Sequence, residues 1–170
     1  MSKNFLFLFN TEKKDYTGCN ILNLQYIRED FSDIEVIDSI PCCSGSPGRQ
    51  NFRVGLDSWA GSLEPLPEGK WYVHDIEWAA GIDNYEGDVW STGIGPVTVP
   101  LDYIEPNSTE RSAIEIHIDW NQGYSPGTAG CIGLYSVEHM ERLVEWLRDT
   151  DPRYLYVDWG LGTCPAFVEN

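Results

Sequence analysis

The stretch AIEIHIDWNQGYSPGTAGCIGLYS, Ala113 to Ser136, carries one histidine and one cysteine on either side of a loop. A thiol and an imidazole are the minimum set for nucleophilic acyl transfer. A free thiol of pKa about 8.5 is only a few per cent thiolate at neutral pH, and a histidine partner can lower that value by several units. Gly127 and Gly130 let the backbone before Cys131 turn sharply, and Ala129 is small. Such an approach exposes a sulfur and can leave backbone N–H groups to hold an oxyanion. His117 and Cys131 are therefore candidates for base and nucleophile. On residue types alone, a core strand followed by a buried structural thiol fits equally well.

The elements that would position this pair are mostly strands. In SAIEIHID (112–119), Ile114, Ile116 and Ile118 point to one face, while Glu115, His117 and Asp119 point to the other. The isoleucines make a core face, so His117 belongs to the side open to solvent or a cleft. Further strands are predicted at FLFLF (5–9), 34–43, 70–79, 97–104 and 154–160, separated by Gly/Pro/Ser/Asn clusters. One helix is predicted, SVEHMERLVEWLRD (136–149). Ser136 suits its N-cap, Val137, Met140, Val144 and Leu147 form its apolar face, and Asp151-Pro152 stops it. The pattern predicts a mainly β fold, a sandwich or barrel-like sheet, in a single domain over 1–170.

Composition narrows the function classes. With 27 acidic against 11 basic residues the formal charge is −16, which disfavours a nucleic-acid partner and an anionic membrane surface. No segment approaches the roughly 20 apolar residues of a membrane span. Phe5 to Phe9 are too few for a signal-peptide core, so delivery outside the cytoplasm would need another route. The five cysteines (Cys19, Cys42, Cys43, Cys131, Cys164) contain no C-x-x-C, and no histidine spacing suits a metal. No metal and no cofactor are expected, and the oligomeric state is left open. Gly93-Ile94-Gly95 is followed by Pro96 and opens no helix, so it is no dinucleotide fingerprint. Trp71 and Trp78 read as core, whereas Trp120 and Tyr124 lie inside the His–Cys loop and are candidates for lining a cleft. His74 and His139 read as exposed, and Cys42, Cys43 and Cys164 as structural.

Three elements in order resemble the L,D-transpeptidase catalytic domain (YkuD-type) family. They are CSGSPG (43–48), LPEGKWYV (66–73), and His117 followed by SPGTAGCI (125–132), within about residues 40 to 160. The resemblance implies an L,D-transpeptidase-like β-sandwich or barrel with its main helix after the catalytic cysteine. It also implies an enzyme of peptidoglycan stem peptides: a cysteine attacks the carbonyl of an L,D-peptide bond and forms a thioester. The acyl group then passes to an amine (transpeptidation) or to water (carboxypeptidase or endopeptidase action). Carried over, Cys131 is the nucleophile, His117 the general base and acid, and the Gly130 and Cys131 amides the oxyanion donors. Thr128 matches the family's Ser/Thr, and Thr128, Ala129, Gly133, Trp120 and Tyr124 become the candidate substrate contacts.

Three positions depart from the family pattern. Ala129 replaces a second histidine, Gly133 an Arg or Asn, and Ile118 a Gly or Ser. They resemble effector- and phage-associated relatives, for which phage lysis or a secretion system would supply delivery to the periplasm or cell wall. The same departures suit a second reading, a cell-wall-binding or phage-associated module that keeps the fold without turnover. No residue is assigned to orient His117: Asp119 and Glu115 share its face but stand roughly 6–7 Å away along the strand. A main-chain carbonyl is the other option.

Overall fold

The computed structural model describes residues 2–31, 33–85, 95–119 and 127–166. The strands, in chain order, are β1 (Ser2–Lys14), β2 (Asn20–Asp30), β3 (Asp33–Ser44), β4 (Gly69–Val73) and β5 (Glu77–Trp78). They continue with β6 (Val97–Glu105), β7 (Ile114–Ile118), β8 (Ile132–Leu134) and, after helix α1 (Val137–Thr150), β9 (Tyr154–Asp158). The sheet order is β4-β9-β1-β2-β3-β8-β7-β6-β5, and β4 also pairs with β6. That extra pairing closes every strand but β5 into a barrel, which removes the open edges that a sheet otherwise leaves. The fold is mainly β, as the alternation predicts.

Strand alternation fills the barrel core. Leu6 and Leu8, Leu22 and Leu24, Val97 and Val99, and Ile114, Ile116 and Ile118 all fall in one buried cluster. Helix α1 adds Met140, Leu143, Val144, Trp146 and Leu147 to the same cluster, each burial stabilising by roughly 1.5–3 kcal/mol. Ser136 caps α1 by accepting the His139 N–H at 3.1 Å, and Asp151 closes it in the left-handed region at φ 53°. Polar side chains fix where the helix lies. Arg142 grips Asp38 of β3, Trp146 Nε1 donates to the same carboxylate at 2.9 Å, and the Trp146 ring stacks on Tyr26 of β2.

Two sequence expectations differ from the fold. The 70–79 run divides into β4 and β5, because His74 turns away and its ring nitrogen meets Asp102 at 2.6 Å. β2 and β8 lie outside the predicted strands: the first ends in charged residues and the second is only three residues long. Trp71 is buried as expected, and Trp78 is partly buried against the core.

The strand opening LPEGKWYV is anchored by a carboxylate. Glu68 is fully buried and accepts from the N–H groups of Trp159 at 2.7 Å, Leu161 at 3.0 Å and Thr163 at 2.7 Å, and from the Thr163 hydroxyl at 2.6 Å. Burial alone would raise its pKa, but these hydrogen bonds outweigh it and hold the carboxyl below its ordinary value. A depressed folded pKa contributes stability above the unfolded value, and that stability is lost as pH falls through the folded one. Glu68→Gln should therefore cost roughly 1.5–3 kcal/mol at pH 7. The deficit should shrink below about pH 4, as measured by urea unfolding of both proteins across pH.

Candidate active site

The site is set by the register of β7 on β8. The two strands run parallel, pairing Ile116 with Ile132, His117 with Gly133 and Ile118 with Leu134. The isoleucines and Leu134 face the core, so the opposite face carries Glu115, His117 and Asp119 from one strand, and Cys131 and Gly133 from the other. Carrying the register back one residue sets Cys131 beside Glu115, whose N–H donates to the sulfur at 3.4 Å. The thiol in turn reaches the Ala113 carbonyl at 3.7 Å. His117 is thus the diagonal neighbour of Cys131 on one face, roughly 7–8 Å away at the backbone. Among the described residues no hydrogen bond joins ring and thiol.

The missing orienting group is a peptide carbonyl. His117 Nδ1 lies 2.9 Å from the Ile118 oxygen. A carbonyl can only accept, so Nδ1 carries the proton and Nε2 of the neutral ring holds a lone pair. Asp119 is engaged elsewhere, where its carboxylate accepts the Gly127 N–H at 2.9 Å and the Cys43 thiol at 3.5 Å.

Electrostatics sets the resting state. Burial pushes His117 below its ordinary 6.5, against the opposite pull of the Ile118 bond and of Asp119. Burial raises the Cys131 thiol, the Glu115 N–H lowers it, the Glu115 carboxylate raises it and Arg111 lowers it, with a net rise. Thiol and imidazole are both neutral at pH 7. This differs from the low thiol pKa a histidine partner suggests, because both groups lose more hydration than each gains from charge.

Thr128 builds the loop before the cysteine. Its hydroxyl donates to the Cys131 carbonyl at 2.5 Å and accepts from the Gly45 and Gly130 N–H groups, each at 3.1 Å. Ser44 Oγ donates to the Gly130 carbonyl at 2.9 Å, and the Thr128 N–H reaches the Gly45 carbonyl at 3.0 Å. The CSGSPG turn is therefore the platform on which residues 127–131 rest.

The geometry bears on three of the expected roles. The Gly130 N–H is spent on Thr128, which leaves the Cys131 N–H as the oxyanion candidate. Thr128 positions the loop with a hydroxyl that already has three partners. Gly133 is buried, and a Cβ there would meet Thr128 Cγ2 at 2.9 Å, Asp119 Cβ at 3.0 Å and Cys43 Sγ at 3.1 Å. Ala129 is exposed and, with Cys131, Arg111, Ala113, Leu63 and Gly61, lines a cavity of about 300 Å³. Trp120 and Tyr124 lie outside the described residues.

Arg111 belongs to no motif in the sequence, yet its guanidinium meets the Ala129 carbonyl at 3.2 Å. Glu115, which alternation places on the His117 face, has its Oε2 buried without a hydrogen-bond partner, and burial followed by Glu77 raises its pKa. A sequence signal for Arg111 was absent, since an isolated Arg reads as surface.

Comparison with known proteins decides the family. The model of the L,D-transpeptidase catalytic domain, YkuD, matches residues 22–155. The chain belongs to that family. The match includes His117, Cys131 and the turn at Ser44–Gly45, and begins earlier than the three motifs alone suggest. Among solved structures, the L,D-transpeptidase fold here resembles the helical cell shape determining protein Pgp2 from Campylobacter jejuni, with a TM-score of 0.55 at 15% identity. That likeness covers 96% of this chain and 51% of Pgp2, so the chain spans about half the length of that protein. No curated protein matches the sequence.

Two measurements check the geometry. Iodoacetamide on the native protein should modify Cys131 and Cys164 well before the fully buried Cys19, Cys42 and Cys43, and the Cys131 midpoint should lie above about pH 8.5. Gly133→Arg, which restores a family residue, should lower stability by at least 1–3 kcal/mol through overpacking, read by thermal unfolding.

Proposed function

We propose that the chain is a cysteine acyltransferase or peptidase acting on the L,D-peptide bonds of peptidoglycan stem peptides. The observation that carries this reading is the Nδ1 bond from His117 to Ile118, which aims Nε2 on the face that holds Cys131. In the first step Nε2 takes the thiol proton as sulfur attacks the substrate carbonyl, and the Cys131 N–H receives the oxyanion. Collapse of the tetrahedral species forms a thioester, while His117 gives its proton to the leaving amine. An incoming amine or water, deprotonated by the same nitrogen, then releases the acyl group. A neutral resting pair suits this sequence, because His117 need not surrender a proton before it can accept one.

A second reading is favoured by the commitment of the Gly130 amide to Thr128, which leaves a thin oxyanion site. In that reading the chain is a cell-wall-binding module of the same fold without turnover. Both readings put its site of action at the cell wall.

Incubation with sacculi or tetrapeptide muropeptides, followed by mass spectrometry, separates these readings and separates transfer from hydrolysis. The enzyme reading expects new products that vanish in Cys131→Ala; an identical muropeptide profile with and without the wild-type protein sinks it. The binding reading expects retention on sacculi without products. The pH profile adds a second check. His117 must be unprotonated to act as base, and its pKa is depressed, so the acid limb of kcat/KM should fall below pH 6.5.

A further inference from the structure

We propose that Arg111 is the positioning residue of the nucleophile: it fixes the peptide before Cys131 and supplies a positive charge beside its sulfur. The inference rests on Cys131 being the nucleophile and adds a residue that neither the family motif nor the sequence singles out.

Arg111 is 7% exposed, and its terminal nitrogens are fully engaged. Nη1 donates to Ser58 Oγ at 3.0 Å, Ser62 Oγ at 3.3 Å and the Pro65 carbonyl at 3.2 Å. Nη2 donates to the carbonyls of Glu64 at 2.9 Å and Ala129 at 3.2 Å. Every one of these acceptors is neutral. The carboxylate of Glu64 pairs with Arg53 instead, at 2.8 Å. The fork is thus saturated by hydroxyls and carbonyls, and among the described residues no direct ion pair cancels its charge. A guanidinium with no terminal donor to spare is poorly suited to grip a substrate carboxylate, although it lines the same 300 Å³ cavity as Cys131.

Its contact with the loop is close. Gly130 has φ +135°, and a Cβ there would lie 1.7 Å from Arg111 Nη2. Glycine at this position therefore does more than permit a turn: it lets a buried cation lie against the backbone beside the nucleophile. Ala129, whose carbonyl accepts from Arg111, is itself exposed. The charged and titratable groups facing Cys131 are then Arg111 from the segment before β7, and Glu115 and His117 from β7 itself. Glu77 acts on Glu115, and Asp119 and Ile118 act on His117. Of these, Arg111 alone is a permanent cation. It opposes the Glu115 carboxylate and stabilises negative charge on sulfur as the proton leaves.

The test measures alkylation of Cys131 against pH by peptide mass spectrometry in the full chain, for wild type, Arg111→Gln and Arg111→Lys. This readout needs no turnover, so it stands or falls separately from the wall substrate. Arg111→Gln keeps donors for the carbonyls and removes the charge. Its midpoint should rise by about one pH unit, with alkylation about tenfold slower at pH 7. Arg111→Lys should stay within about threefold of wild type, a fraction of a pH unit. Three superimposed profiles overturn the proposal, as does a loss of thermal stability in both variants with unchanged midpoints, which marks a purely structural role. If Arg111→Gln fails to fold, Arg111→Met, also uncharged, takes its place: the same rise in midpoint is expected, and a midpoint equal to that of wild type and Arg111→Lys overturns the proposal.

Discussion

The parallel pairing of β7 with β8 is the constraint on which the site depends. Because strand side chains alternate, a register of His117 opposite Gly133 places the imidazole and the Cys131 sulfur on one face. A slip of one residue would send the cysteine into the core and an isoleucine to the cleft. The register is held from both sides. The isoleucines of β7 and Ile132 and Leu134 of β8 are buried against α1 and the barrel, and the Glu115 N–H and Thr128 fix the approach to Cys131. Barrel closure through β4 and β6 then holds β7 in place from its other edge.

The departures from the family pattern form one connected adjustment. Where relatives carry Arg or Asn, Gly133 makes room for Thr128, Asp119 and the Cys43 sulfur to meet beneath the strand. Asp119 uses that space to hold the Gly127 N–H and the Cys43 thiol, so the loop is tied down from below. A positive charge reaches the loop from Arg111, through the gap that Gly130 leaves. The substitution of Ile118 for a small residue has no effect on the orienting bond, because that bond uses its carbonyl.

Much of the fold was legible because it follows from periodicity. The Ile114, Ile116, Ile118 alternation marked the core face and thereby the open face of His117. Ser136 and Asp151-Pro152 bounded the helix within a residue of its observed limits. What escaped was non-local. Neither the β4 pairings that close the barrel nor the three-residue β8 leaves a local pattern, since both depend on partners far along the chain. In the site, glycine and threonine types announced a tight loop but not who would claim its groups. The Gly130 amide looked free until Thr128 took it, and Arg111 looked like any surface arginine until Ser58, Ser62 and three carbonyls surrounded it.

Burying a guanidinium among neutral acceptors is costly, because it gives up hydration without a matching counter-charge. Five hydrogen bonds offset part of that cost, and each is charge-assisted, hence stronger than a neutral pair. What remains is an electrostatic field that is unsatisfied in the resting protein and satisfied when negative charge appears nearby. In a chain of formal charge −16, with Glu115 already beside the sulfur, that field opposes part of the surrounding negative charge. A preorganised charge of this kind costs nothing further at the moment sulfur gives up its proton, which is when it is needed. On the roles proposed for His117, Cys131 and Arg111, the neutral resting pair and the buried cation are two parts of one arrangement: the thiol stays protonated until a base is poised, and the charge it then develops is met in place.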